Sequence, residues 1–193
     1  MTQIAEILFA SFRNMERGKG RISMEVKMEF HIREMDPLEY PMLSGFLYDA
    51  IFQRDGQALL PESIIERPEL KVYIEDFGSK KDDFCFCAEV DGQVVGAVWV
   101  RNIQGYGSID KTTPEFAVSV LKAFRGYGIG TEIMKKMLGH LKMLGYPKAS
   151  LAVQKDNYAL NMYLKVGFNI IGENEEEYIM ACLLQTTEDK SKH

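Results

Sequence analysis

The run Glu115-Phe116-Ala117-Val118-Ser119-Val120-Leu121 leads through Lys122-Ala123-Phe124 into Arg125-Gly126-Tyr127-Gly128-Ile129-Gly130-Thr131. It reads as a strand, a glycine-rich turn over Arg125–Gly130, and then a helix over Thr131–Leu144. This constrains the chain more than any other feature. The first N–H groups of a helix have no internal acceptor, and the helix dipole adds partial positive charge there. Glycines let the main chain approach a ligand with no Cβ in the way. The combination is an anion cradle suited to a phosphate or pyrophosphate. It is not a Walker A loop, because no Gly-x4-Gly-Lys-Ser/Thr run exists. It is not a dinucleotide fingerprint either. The glycines are spaced Gly-x-Gly-x-Gly, and Thr131 stands where the third glycine of that fingerprint belongs.

Around this turn the hydrophobic patterning gives alternating short strands and amphipathic helices. Strands are expected at Glu29–Met35, Phe84–Val90, Gln93–Asn102, Glu115–Leu121, Ala149–Val153, Phe168–Gly172 and Tyr178–Leu184. Helices are expected at Leu38–Phe52, Pro68–Phe77, Thr131–Leu144 and Asn157–Val166. Asp91-Gly92 marks a two-residue hairpin turn. The order β-α-α-β-β-β-α-β-α-β-β describes an α+β domain around a mixed, mostly antiparallel sheet flanked by helices. With 193 residues the chain fits one domain. We assign residues 28–185 to it, with residues 1–27 as an N-terminal extension (a short helix or leader) and 186–193 as a polar tail expected to fray.

Several classes of function are excluded by composition. A net charge of −5 gives no footprint for nucleic acid. No apolar run is long enough to span a membrane. Three cysteines cannot form a disulfide framework, which points to a reduced, cytoplasmic setting. Cys85, Cys87 and Cys182 read as buried apolar residues. His31, His140 and His193 share no ligand spacing, so no metal site is expected. Met134, Met137 and Met143 read as core filler. Trp99 reads equally as core or as lining for an acceptor pocket, and Tyr106 is a second candidate lining residue.

The chain resembles the GNAT superfamily, the acyl-CoA-dependent N-acetyltransferases. Arg125-Gly126-Tyr127-Gly128-Ile129-Gly130 is similar to that family's Gln/Arg-x-x-Gly-x-Gly/Ala motif. The apolar strand before it, and Asn157 through Tyr163 running into Gly167-Phe168, complete the pattern. The resemblance covers roughly Glu29–Leu184. It implies a sheet splayed at the cofactor site, with acetyl-CoA wedged between the strands Glu115–Leu121 and Ala149–Val153. Main-chain groups of Val118, Ser119 and Val120 would meet the pantetheine arm. Amides of Arg125, Gly126, Tyr127, Gly128, Ile129, Gly130 and Thr131 would hold the pyrophosphate. Tyr163 matches the tyrosine that protonates the leaving thiolate, and Asn157 matches an asparagine near the pantetheine or acceptor. Asn157 reads equally as a helix cap.

Acetyl transfer to an amine needs no metal and no covalent enzyme intermediate. An aliphatic amine of pKa ~10.4 is mostly protonated at neutral pH, so a base must take a proton, directly or through water. The family's usual glutamate position is Pro114 here, and Glu115 follows it. A one-residue shift turns a strand side chain to the other face unless a bulge restores it. Glu115 is therefore one candidate base. A water relayed to the backbone or to another side chain is the other, with Ser119 as a possible water holder. Acidic residues cluster at Glu173, Glu175, Glu176 and Glu177, and at Glu62, Glu66, Glu69, Glu75 and Asp76. They read as a solvated surface or as a rim that draws a cationic acceptor. The expected partner is a small-molecule or peptide amine, and the expected assembly is a monomer or homodimer. A non-catalytic acyl-CoA sensor is the alternative.

Overall fold

The computed structural model describes residues 28–54, 56 and 58–184. The expectations for the N-terminal extension and the polar tail lie outside the described residues. Strands run as β1 (His31–Glu34), β2 (Phe84–Val90), β3 (Gln93–Arg101), β4 (Glu115–Val120), β5 (Lys148–Gln154), β6 (Asn169–Glu173) and β7 (Glu177–Leu183). The α-helices are α1 (Leu43–Ala50), α2 (Pro68–Lys71), α3 (Ile129–Met143) and α4 (Leu160–Lys165). All seven strands join one sheet in the order β1-β2-β3-β4-β5-β7-β6. Every neighbouring pair is antiparallel except β4 and β5, which are parallel. The expected mixed, mostly antiparallel α+β architecture is what the chain adopts.

Alternation along the strands divides the core between the two faces of the sheet. Val98, Val100, Phe116 and Leu151 pack under α3, whose Ile133, Met134, Met137 and Leu141 are fully buried, and beside Tyr163 and Phe168. The opposite face carries Cys85, Cys87, Ala97 and Trp99 against Leu43, Phe46 and Leu47 of α1 and against Tyr73. The three cysteines are buried and free, as expected. Met143 is the exception in its helix. It lies past the buried stripe and is 79% exposed, so it is not core filler. The Asp91-Gly92 turn has positive φ at both residues and closes the β2–β3 hairpin, as its sequence predicts.

Two helices differ from expectation for local reasons. The helix expected over Leu38–Phe52 is a 3-10 helix over Pro37–Met42 followed by α1. Asp36 caps its start, accepting from the Leu38 N–H at 2.8 Å, and Pro41 lies inside the 3-10 segment. Proline has no N–H to continue an α-ladder. The helix expected over Pro68–Phe77 is α-helical only through Lys71. Beyond it the carbonyls of Val72 and Glu75 accept from the Arg101 guanidinium at 3.0 and 2.7 Å, and that demand replaces regular helix. A 3-10 helix over Glu62–Glu66 was not expected. Among the described residues, no helix is long and apolar enough to cross a membrane.

Candidate active site

The strands β4 and β5 touch at one register pair, Glu115 with Ser150, anchored by the Ser150 N–H donating to the Pro114 carbonyl at 3.0 Å. Beyond that pair they part. The Leu121 N–H donates to Val95 of β3 at 2.9 Å, which fixes the alternation of main-chain groups along β4. Val118 and Val120 therefore turn their peptide groups toward the parting. Ser119 turns its peptide groups toward β3, where it pairs with Ala97. Of the three residues expected to face the gap with main-chain groups, two do and Ser119 does not. The Val120 carbonyl is already taken by the Arg125 Nε at 2.8 Å.

The glycine-rich turn opens α3 at the C-terminal end of β4. The helix starts at Ile129, earlier than Thr131, because Gly128 supplies a left-handed cap with φ 85°. Gly126 also has positive φ, and a Cβ at either glycine would meet no atom within 4 Å. Among the described residues, the N–H groups of Gly126, Tyr127, Gly128, Ile129, Gly130 and Thr131 donate to no protein acceptor. The first helical bond runs from the Glu132 N–H to Gly128 at 3.1 Å. This row of main-chain donors at a helix mouth is what an anionic diphosphate requires. The Arg125 side chain does not join it. Its guanidinium holds Val120 and donates to the Asp49 carbonyl at the end of α1 at 3.4 Å.

On the α1 face of the sheet, Glu115 is 2% exposed. Its Oε1 accepts from the Tyr73 hydroxyl and from the Gly107 N–H, the latter at 2.7 Å. The Tyr73 oxygen accepts from the Tyr106 N–H at 2.9 Å. Burial pushes the Glu115 carboxyl above the usual carboxylate range, and Tyr73 together with the main-chain groups of Gly107 and Gly105 works in the opposite direction. Among the described residues the Glu115 Oε2, which the main chain of Gly105 approaches, completes no hydrogen bond. The other buried side-chain oxygens without partners are Ser119 Oγ, Ser150 Oγ and Gln154 Oε1. All four lie on the two strands that part. Glu115 and Ser119 share one face of β4. Ser150 and Gln154 share the same face of β5, since Glu115 pairs with Ser150. Buried polar groups are ordinarily hydrogen-bonded, so these four oxygens are acceptors that a ligand or ordered water at the parting would satisfy.

Tyr163, on α4, lies on the other face, packed edge-on to Phe168 with centroids 6.3 Å apart. Its hydroxyl makes no hydrogen bond among the described residues, and burial holds the phenol far above its ordinary pKa. The Asn157 Oδ1 accepts from the Ala159 N–H at 2.9 Å in a turn just before α4, whose N-cap is Ala159 with no side-chain cap, so Asn157 does not cap the helix. Trp99 is fully buried and donates to the Tyr73 carbonyl at 3.1 Å, which makes it core. Tyr106 is 46% exposed, and the charges of Glu69 and Glu177 act on it. Among the described residues, no group of three or more His, Cys, Asp or Glu is arranged to hold a metal ion.

The sequence reading missed Tyr73, Gly107, Ser150 and Gln154. Gly105-Tyr106-Gly107 was the available signal for the loop. A Cβ at Gly107 would lie 2.4 Å from the Leu151 carbonyl carbon, so only glycine lets this loop close on β5.

The profile of the Acetyltransferase (GNAT) family matches residues 49–168. An N-alpha-acetyltransferase from Sulfurisphaera tokodaii is 30% identical over 114 residues, 51% of this chain and 68% of the relative. The ribosomal protein bS18-alanine N-acetyltransferase of Haemophilus influenzae is 30% identical over 80 residues, 36% of this chain and 55% of the relative. Among solved structures, the Thermoplasma acidophilum PaiA N-acetyltransferase in complex with coenzyme A superposes with a TM-score of 0.61 at 17% identity, covering 81% of this chain and 99% of that one.

Proposed function

The chain belongs to the GNAT family of acetyltransferases, and we propose that it transfers an acetyl group from acetyl-CoA to an amine, with Glu115 as base and Tyr163 as acid. One observation carries the reading: among the described residues, the main-chain N–H groups from Gly126 to Thr131 have no protein acceptor, and they sit where β4 and β5 part. That row fits the diphosphate of coenzyme A, and the peptide groups of Val118 with the Val120 N–H fit its pantetheine arm. Acetyl-CoA supplies the acetyl group as a thioester.

Glu115 Oε2 is the oxygen that takes the proton from the amine, directly or through one water, since Oε1 is already engaged. Tyr163 donates its hydroxyl proton to the departing thiolate. A phenol whose pKa is raised by burial stays protonated across the working range, as an acid must. Both 30%-identical relatives are N-acetyltransferases, one of them acting on a ribosomal protein's alanine. A peptide α-amine is therefore the first acceptor to test. Half-buried Glu177 near the site favours positive charge on the acceptor.

The test has two arms. Calorimetry with coenzyme A should give a single site. Thiol release should then be followed with acetyl-CoA and a panel of peptide α-amines, a lysine-type amine and spermidine. We expect release with at least one amine and loss of it in Glu115→Gln. Coenzyme A binding without release for any amine would leave the sensor reading in its place.

A further inference from the structure

We propose that Tyr73 is a positioning residue for acetyl transfer, which fixes Oε2 as the one oxygen of Glu115 free to take the acceptor's proton. The proposal rests on Glu115 being the base. Tyr73 lies past the end of α2, far from β4 in sequence, yet its hydroxyl meets Glu115 Oε1 in the core. The direction of that bond is set from outside. The Tyr106 N–H donates to the Tyr73 oxygen at 2.9 Å, which leaves the Tyr73 O–H to point at the carboxylate. The Gly107 N–H reaches the same Oε1 at 2.7 Å. Two donors converge on Oε1, while Oε2, which the main chain of Gly105 approaches, completes no hydrogen bond among the described residues. A carboxylate bound this way cannot rotate to exchange its oxygens without losing both bonds.

The other ionisable groups around the carboxyl do not duplicate this role. Arg101 stands opposite Glu115 on β3, but its guanidinium is bound to Asp83 at 2.8 Å. Glu177, at the start of β7, adds negative charge and works against ionisation of Glu115. Tyr106 approaches with its N–H. Ser150, on β5, is neutral. Tyr73 is thus the side chain whose hydrogen bond holds the carboxylate form, and burial keeps its own phenol protonated.

The readout is the ionisation of Glu115, which needs no known acceptor. Infrared difference titration of the full chain gives a protonated-carboxyl band, identified as Glu115 by its absence in Glu115→Gln. In Tyr73→Phe the midpoint of that band should rise by about one pH unit, the loss expected for a hydrogen bond to a charged group. Melting temperature and coenzyme A affinity serve as fold controls. If Tyr73→Phe does not fold, 3,5-difluorotyrosine placed at position 73 keeps the shape and strengthens the donor, and the midpoint should fall. With an active amine, the acid limb of kcat should move in the same direction as the band. An unmoved midpoint, with transfer lost in Glu115→Gln, would overturn the role of Tyr73 alone. Transfer that survives Glu115→Gln would overturn the base assignment and this proposal with it.

Discussion

Arg101 and Glu115 stand directly opposite one another on β3 and β4, both buried, and they do not pair. The Arg101 guanidinium is taken by Asp83 and by the carbonyls of Val72 and Glu75. This leaves the Glu115 carboxyl to neutral donors, and burial raises its pKa where an arginine would have lowered it. The Asp83 side chain is fully buried. Removing it strands a buried cation, which costs ~3–5 kcal/mol. Asp83→Ala should lower stability by about that amount in urea melts. A loss under about 1 kcal/mol would mean that Arg101 finds another anion, with Glu115, its cross-strand partner, as one candidate.

Gly128 is the left-handed residue at which the turn enters α3. In Gly128→Asp, a Cβ at φ 85° costs roughly 1–2 kcal/mol, and the carboxylate stands at the mouth that would receive a diphosphate. Coenzyme A affinity should fall below detection by calorimetry while the chain stays folded. Gly128→Ala should pay the conformational cost with a smaller loss of affinity. Equal affinity in Gly128→Asp and the parent chain would remove the turn from the binding site.

The Tyr163 ring packs in the core while its hydroxyl has no hydrogen-bond partner among the described residues. Tyr163→Phe should therefore change stability by less than ~1 kcal/mol and leave coenzyme A affinity near the parent value. Thiol release should slow by ~10²–10⁴-fold, the usual range for loss of a general acid. The raised pKa also predicts that the parent enzyme shows no alkaline loss of rate through neutral pH that could be assigned to this phenol. A rate unchanged in Tyr163→Phe would take Tyr163 out of the chemistry.

The parts of the site legible in the sequence are those made by consecutive residues. Gly126, Gly128 and Gly130 before an apolar helical stripe announce the turn, because main-chain geometry there depends on local residues alone. Alternation along Glu29–Met35 and the Asp91-Gly92 turn before Gln93–Asn102 announced strands there. The surroundings of Glu115 were not legible, because they are assembled across long separations. Tyr73 arrives from an irregular segment whose shape depends on Arg101 taking its carbonyls. Gly107 arrives from a loop that closes on Leu151 only once β5 is in place. The Asn157 side-chain oxygen, by contrast, serves its own turn, a local bond between residues two apart.

The ionisation of Glu115 also links stability to pH. Its carboxyl pKa is raised in the folded chain relative to an unfolded value near ~4.3. Folded protein thus holds the Glu115 proton over a pH window in which unfolded chain has released it. The stability this contributes is fully present below the unfolded pKa and is lost as pH rises through the folded one. Glu115→Gln has no such proton to lose. Urea melts from pH 4 upward should therefore show the parent chain losing stability relative to Glu115→Gln across that window, with the difference levelling off once the folded carboxyl is ionised. The same ionisation should switch on acetyl transfer, so activity rises over the pH range in which relative stability falls. A difference that is flat with pH would mean that the hydrogen bonds to Glu115 balance burial, and one that runs the other way would mean that they outweigh it.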